Sequence, residues 1–211
     1  AFLGYMVENR LVQLGLWHAL AEWQNVHIDC PNGLTDLKQT EQGATLTLNN
    51  GQVLQAKLVL ACDGAESHTR SFTDIGMTAW DYAQSCMLIS MQGDALEPDT
   101  TWQQFTPSGP RAFLPLGLTT GSLVWYDQKH RIKALAELDN EALAEQVRLH
   151  FPDRMGHFKV LDKGQFALRR RHANQYVQGC VVLLGDAAHT INPLAGQGVN
   201  LGFKDAQALS D

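Results

Sequence analysis

The sequence predicts an α/β (α+β) protein in which a strand-rich middle segment separates two parts of another domain. Two apolar runs end in Asp63-Gly64 and in Gly185-Asp186, which predicts two buried strands that each run into a sharp turn. Between them, short strand-like runs are punctuated by Pro and Gly, as in an inserted mixed or antiparallel sheet. We therefore expect a first part at 1–77, a sheet domain at 78–172 and a return to the first domain at 173–211.

Composition supports a folded chain and argues against several functions. Of 211 residues, 45% are hydrophobic and 18% are charged. The 16 basic and 22 acidic residues give a net charge of −6 without a run of Lys or Arg, which argues against nucleic-acid binding. No apolar run reaches the ~20 residues of a membrane span. The 4 scattered cysteines include no C-x-x-C pair, so we expect no metal site, and reduced thiols in a cytoplasmic protein.

The first predicted elements are a helix and a hairpin. Apolar residues at spacings of three and four predict a helix over about 5–24. The Asn50-Gly51 pair lies between the runs Thr45–Leu48 and Val53–Ala61 and predicts a hairpin. Residues 57–61 are nearly all apolar, as in a strand buried on both faces. The apolar face of the helix would carry Val7, Leu11, Leu14, Trp17 and Ala21.

The middle segment is predicted to hold several strands and one helix. The helix covers about Asn140–His150 and is closed by Pro152. We expect the tryptophans at strand positions to be core residues. They are Trp80, Trp102 and Trp125. The strand-like runs are Ser85–Met91, Thr101–Phe105, Ala112–Leu116, Ser122–Tyr126 and Gln165–Leu168.

The last segment is predicted to be a central strand, a loop and a helix. The branched apolar run Cys180–Leu184 is the strand. A glycine-containing loop follows, and a helix starts near Gly198. Its apolar face would carry Val199, Phe203, Ala206 and Leu209.

The first motif that carries chemistry is Asp63-Gly64 with Arg70. A strand that ends there would place a carboxylate and bare backbone at the edge of a sheet where open α/β folds bind ligands. Gly64 would allow close approach to a phosphate or sugar, and Arg70 could bind a phosphate. An ordinary Asp-Gly turn with a surface arginine is the open alternative.

The second motif, Gly185 to Asn200, is more specific. Asp186 at a strand end can accept hydrogen bonds from ribityl or ribose hydroxyls. Gly196 and Gly198 keep the loop backbone exposed, and the following helix N-terminus offers unpaired N–H groups to an anionic or polarised oxygen. The alternative is an ordinary loop followed by a helix.

Both motifs resemble those of the FAD-dependent aromatic hydroxylases, the class A flavoprotein monooxygenases, and in particular the ubiquinone-biosynthesis hydroxylases. The resemblance implies a partial FAD-binding, Rossmann-like domain with an inserted substrate-binding sheet domain. It extends through Gly4–Arg10, Tyr82–Ser90, Thr101–Pro107, Ser122–Asp127 and Arg170–Ala173.

The family implies roles for individual residues. Asp186 matches the residue that binds the flavin ribityl chain, and Val199 and Asn200 match positions whose backbone faces the pyrimidine end of the ring system. Pro193 matches a residue of the reaction cavity, and Arg10 matches a residue near the FAD. Asp63 and Gly64 match a motif linked to FAD and to the nicotinamide cofactor. The glycines Gly185, Gly196 and Gly198 complete the implied cofactor-binding set.

The family also implies a reaction. FAD is reduced by NAD(P)H, O₂ is consumed, and a hydroxyl group passes to an electron-rich ring, here that of a polyprenyl benzoquinol. The cofactor carries the chemistry, so we assign no catalytic acid or base and expect His189 to pack or form a hydrogen bond rather than carry protons. Such an apolar substrate implies contact with the surface of the inner membrane or with other ubiquinone-biosynthesis proteins.

The sequence departs from the family in lacking the G-x-G-x-x-G fingerprint of its first βαβ unit. We therefore interpret the chain as an internal piece of a longer protein, with weak or no FAD binding alone and no turnover. Two alternatives stay open: a non-catalytic lipid-quinone-binding or scaffold module, and a hydroxylase of this fold acting at another ring position. A halogenase is disfavoured because no W-x-W-x-I-P signature is present.

Overall fold

A computed structural model describes residues 4–94 and 96–211, so the first three residues of the predicted segment 1–77 lie outside it. The chain divides into two compact units. One contains the residues up to His27 together with Tyr82–Leu168, which we call the sheet unit. The other contains Ile28–Asp81 and Arg169–Asp211, which we call the motif unit because both motifs lie in it.

The motif unit contains the predicted hairpin. Strands β1 (Leu34–Thr40), β2 (Gly43–Leu48) and β3 (Val53–Ala56) form an antiparallel sheet in the order β1-β2-β3. Gly51 has φ 83°, which the turn requires and glycine adopts at little cost. Strand β1 was not predicted, because only Leu37 of its residues is buried and its sequence lacks a regular alternation.

A second sheet of the motif unit brings the two predicted motif strands together. It consists of β4 (Val59–Ala61), β10 (Val177–Gln178) and β11 (Val181–Leu183), in the order β10-β11-β4. Strand β11 is therefore central, as predicted, and it runs parallel to β4. The short helix α2 (His68–Ser71) follows β4.

The prediction of one continuous strand over Val53–Ala61, buried on both faces at 57–61, is wrong. The strand breaks at Lys57-Leu58, because β3 pairs with β2 whereas β4 pairs with β11 in the other sheet. Leu58 and Leu60 are 50% and 45% exposed, so the apolar run marks a strand that is covered on one face.

The sheet unit is built on long antiparallel strands. The strands are β5 (Met77–Gly93), β6 (Trp102–Thr106), β7 (Gly109–Pro115), β8 (Thr120–Gln128) and β9 (Phe158–Ala173), with β12 (His189–Thr190) at the edge of the same sheet in the order β12-β9-β5-β8-β7-β6. The residues of β5 before Tyr82, the residues of β9 after Leu168 and the whole of β12 belong to the motif unit. Each strand predicted here lies within or overlaps one of these strands.

Two helices accompany this sheet. The predicted helix is present as α4 (Asn140–His150), with Leu143 and Val147 fully buried. Helix α3 (Lys129–Glu137) was not predicted, because only Ile132 and Leu135 are buried in an otherwise polar segment. Trp125 is buried and Trp102 packs against the same core. The prediction for Trp80 is wrong: this ring lies in the motif unit, is 44% exposed, and has the Arg170 guanidinium 4.6 Å from its centre.

The terminal helices are present but expose their apolar faces. Helix α1 (Asn9–Leu20) is shorter than predicted, and helix α5 (Gly198–Ser210) begins where predicted. Neither contains a buried residue: Trp17 is 45% exposed and Val199 is 55% exposed. No helix in the described part of the chain is long and apolar enough to cross a membrane.

Candidate functional site

The two motifs begin side by side, because the strands that lead into them are neighbours. Leu183 of β11 is paired with Ala61 of β4, and the Leu184 N–H donates to the Ala61 carbonyl at 3.0 Å. Two residues after Ala61 comes Asp63, and two residues after Leu183 comes Gly185. Parallel strands present their carboxyl ends at one edge of the sheet, which is the edge where open α/β sheets bind ligands.

At the first motif, the Asp63 carboxylate is used within the chain. It accepts hydrogen bonds from the Ser67 hydroxyl at 2.5 Å and from the Thr69 N–H at 2.8 Å. Ser67 in turn caps α2 by accepting from the Arg70 N–H at 3.0 Å. Partial burial alone would raise the pKa of Asp63, but these hydrogen bonds outweigh it and lower the pKa below its ordinary value.

Arg70 joins the first motif to the second. Its guanidinium donates to the Ala65 carbonyl at 3.0 Å and to the Ala187 carbonyl at 2.6 Å. Arg171, whose side chain is 11% exposed, donates to the same Ala65 carbonyl at 2.7 Å and to Glu66. Arg70 therefore acts as an internal clamp between the motifs, whereas the sequence suggested a phosphate ligand.

At the second motif, the backbone turns sharply and leaves a carboxylate exposed. Gly185 has φ 56°, in the left-handed region that favours glycine, and it begins the short 3₁₀ helix Gly185–Ala187. Asp186 is exposed, and within residues 4–94 and 96–211 its side chain has no hydrogen-bond partner. Ala187 and Ala188 are fully buried and anchor the turn to the core.

The loop after this turn leads to a helix N-terminus. The Asn192 side chain accepts from the Leu194 N–H at 3.0 Å and caps a short 3₁₀ helix, Pro193–Ala195. Gly196 follows with φ 60°, and a Cβ added at Gly196 or Gly198 would meet no described atom within 4 Å apart from its neighbours in the chain. The Leu201 N–H donates to the Gln197 carbonyl at 3.0 Å, so the N–H groups of the three residues before Leu201 lack helical partners.

Sequence reasoning missed Asp205 of α5, which contacts the second motif. Its carboxylate accepts from the Gly185 N–H at 2.8 Å and bonds to His189 Nε2 at 2.7 Å. The expectation that His189 packs or forms a hydrogen bond is confirmed. The sixteen-residue separation of Asp205 from His189 gives no local sequence signal, because the contact depends on how α5 packs.

Except for Arg10, every predicted site residue lies in the motif unit. Arg10 lies in the first turn of α1, in the sheet unit, where its exposed guanidinium pairs with Glu8 at 2.7 Å. The sheet unit has an open cleft of about 710 Å³ whose lining includes Tyr82, Gln84 and His130. Among the described residues, no three His, Cys, Asp or Glu side chains are grouped so that they could hold a metal ion.

Comparison with curated proteins gives relatives that are about twice as long. The chain is 52% identical over 209 residues to 3-demethoxyubiquinol 3-hydroxylase of Escherichia coli (strain K12), covering 99% of the chain and 54% of that protein. It is 31% identical to ubiquinone hydroxylase UbiL of Rhodospirillum rubrum, covering 99% of the chain and 49% of that protein. The chain thus spans about half the length of the relatives it matches.

Comparison with solved structures confirms the predicted fold class. The p-nitrophenol 4-monooxygenase PnpA from Pseudomonas putida DLL-E4 matches with a TM-score of 0.78 at 19% identity, over 97% of this chain and 53% of that one. The family described as "FAD binding domain" matches residues 11–211. The resemblance inferred from the two motifs is therefore confirmed, and the chain belongs to the FAD binding domain family.

Proposed function

We propose that this chain is the part of an FAD-dependent monooxygenase that contacts the flavin and the aromatic substrate. The complete enzyme would hydroxylate the ring of a polyprenyl benzoquinol in ubiquinone biosynthesis, using FAD, NAD(P)H and O₂. Both relatives described above are named as ubiquinol or ubiquinone hydroxylases, which supports this substrate class. The observation that carries the proposal is the exposed Asp186 carboxylate, which has no partner among the described residues and lies on a turn next to the buried Ala187 and Ala188.

The residues of the second motif fit a flavin with a ribityl chain. Asp186 has acceptor oxygens that no described residue occupies, and the space that the described residues leave at Gly196 and Gly198 allows a planar ring system to approach the backbone. The N–H groups of Val199 and Asn200 are available at the start of α5. We assign Gly185 to the same cofactor-binding set as the residue at which the backbone turns. Pro193 is assigned to this set as a residue of the reaction cavity.

Bound FAD would supply the redox chemistry, namely acceptance of electrons from NAD(P)H and activation of O₂. The protein residues would bind FAD and orient it. Asp186 would fix the ribityl chain by accepting hydrogen bonds, and the positive end of the α5 dipole would stabilise negative charge on the reduced ring. No side chain is required as a nucleophile or as a general acid.

For the first motif we propose a supporting role. The Asp63 carboxylate is occupied by Ser67 and Thr69, so a cofactor would meet the backbone of Gly64. There φ is 82°, and an added Cβ would meet no described atom within 4 Å apart from its neighbours in the chain. Arg10 is proposed as a contact near the FAD on the family resemblance alone.

The segment 78–172 is proposed as the substrate domain, with 1–77 and 173–211 as parts of the FAD-binding domain. A lipid-quinone scaffold is the less favoured function, because a binding-only role would not require the Gly185-Asp186 turn and the glycine-containing loop that follows it. Contact with a membrane surface or with other ubiquinone-biosynthesis proteins is proposed from the apolar substrate.

A chimera tests the proposed activity. The matching half of the E. coli 3-demethoxyubiquinol 3-hydroxylase is replaced by this chain and expressed in cells that lack the native enzyme. We expect ubiquinone to be restored, to be lost with Asp186→Ala, and to be retained with the exposed control Asp153→Ala. A stable, flavin-loaded chimera that accumulates the unhydroxylated precursor would contradict the proposed substrate.

A further inference from the structure

One oxygen atom of Asp205 joins two segments of the second motif to helix α5. Oδ2 accepts from the Gly185 N–H at 2.8 Å and contacts His189 Nε2 at 2.7 Å. These donors lie 20 and 16 residues before Asp205 in the chain. The Asp205 side chain is 26% exposed and that of His189 is 8% exposed, so solvent competes weakly for either bond.

We propose that Asp205 and His189 are positioning residues that hold the Gly185-Asp186 turn in its binding conformation. The inference rests on the proposed function, because the ligand of that turn is taken to be FAD. Neither residue is proposed to touch the cofactor. They would act through the backbone of Gly185 and, next to it, the carboxylate of Asp186.

Backbone packing supports this role. A Cβ added at Gly202 would lie 3.3 Å from the Cα of Gly185, so α5 approaches the turn closely. Gly202 and Asp205 are three residues apart and therefore lie on one face of α5. The face of α5 that contacts the turn therefore belongs to the same helix as Val199 and Asn200. The Gly185-Asp186 turn and the N-terminus of α5 are thus fixed relative to each other.

The hydrogen bonding of His189 indicates a fixed tautomer. An ionised carboxylate only accepts, so Nε2 carries the proton in the bond to Asp205. The other ring nitrogen, Nδ1, is buried and has no partner among the described residues. Among the described residues, the His189 ring is therefore held by one hydrogen bond, and its centre lies 5.9 Å from the centre of the Tyr176 ring.

The test compares Asp205→Ala with Asp205→Asn, which keeps an oxygen acceptor, and with Lys204→Ala as an exposed control on the same helix. Amide hydrogen exchange at Gly185 is measured by NMR, together with the Asp186 amide signal and the ¹⁵N shifts of the His189 ring. We expect Asp205→Ala to speed Gly185 exchange at least about tenfold, move the Asp186 signal and remove the single-tautomer signature. The Asn variant should retain most of each property.

Cofactor binding is a separate readout of the same variants. We expect Asp205→Ala to weaken FAD binding about tenfold and Asp205→Asn to stay near the unchanged chain. Wild-type Gly185 exchange and Asp186 signal in a folded Asp205→Ala chain would overturn the inference, as would equal loss of binding in the Ala and Asn variants. If the unchanged chain binds no FAD at millimolar concentration, FAD binding of the same variants is measured in the chimera described above. A folded chimera that binds no FAD would count against the proposed function, while the exchange data still decide the positioning role. Should the Ala variant not fold, His189→Gln, which keeps an N–H donor, and His189→Ala replace the pair.

Discussion

At the scale of single residues, the clearest lesson comes from Asp63. Its position after a buried strand suggested a ligand-binding carboxylate, and both of its oxygens accept hydrogen bonds from α2 or from the residue that caps it. The hydrogen bonds favour the ionised form, which is why the pKa of Asp63 is lowered despite partial burial. Asp186 differs because its carboxylate is exposed and has no partner in the described part of the chain.

We expect Asp63→Asn to lower the free energy of unfolding by about 1 kcal/mol at pH 7, because one acceptor and the charge are lost. The pKa of Asp63 is lower folded than unfolded, so its contribution is complete above the unfolded value of about 4 and is lost as the pH falls through the folded value. Urea unfolding at pH 7 and at pH 3 measures the difference in the free energy of unfolding between the unchanged chain and Asp63→Asn. A difference between the proteins that stays constant with pH would contradict the assignment, and Asp153→Asn serves as the control.

At the scale of elements, the two motifs form one assembly because β4 and β11 are parallel neighbours and Arg70 spans their ends. The Asn-Gly hairpin, α4 and the start of α5 could be predicted because each has a strong local signal. The division of Val53–Ala61 between two sheets could not be predicted, because a change of partner strand does not alter the hydrophobic pattern of the sequence. Helix α3 was missed for a related reason: two buried residues define no periodicity.

Arg70→Met tests the clamp between the motifs. The guanidinium is half-buried and donates to two carbonyls, so we expect a loss of about 2 kcal/mol in the free energy of unfolding. Arg169→Met is the matched control, because Arg169 pairs with Asp81 while 44% of its side chain is exposed. That pair should contribute less than about 1 kcal/mol. Equal losses for the two variants in urea unfolding would show that Arg70 is an ordinary surface arginine.

At the scale of the whole molecule, the candidate site combines residues far apart in the sequence, because β4 and β11 end side by side. The second motif and the family resemblance predicted the Gly-Asp turn, Gly196, Gly198 and the residues at the start of α5 as site residues. The same reasoning could not find Asp205, because its partners are reached only through the packing of Gly202 against Gly185. The lack of a G-x-G-x-x-G sequence leaves the second motif as the main candidate contact with FAD in this chain.

The most direct test is a titration of the 211-residue chain with FAD, followed by amide NMR shifts and flavin fluorescence. We predict weak, saturable binding in which the Asp186, Val199 and Asn200 amides shift together, and at least about tenfold weaker binding for Asp186→Ala. Asp153→Ala should bind as the unchanged chain does. Shifts confined to residues outside Gly185–Asn200, or binding that Asp186→Ala leaves unchanged, would contradict the assignment of this turn and helix as the flavin site.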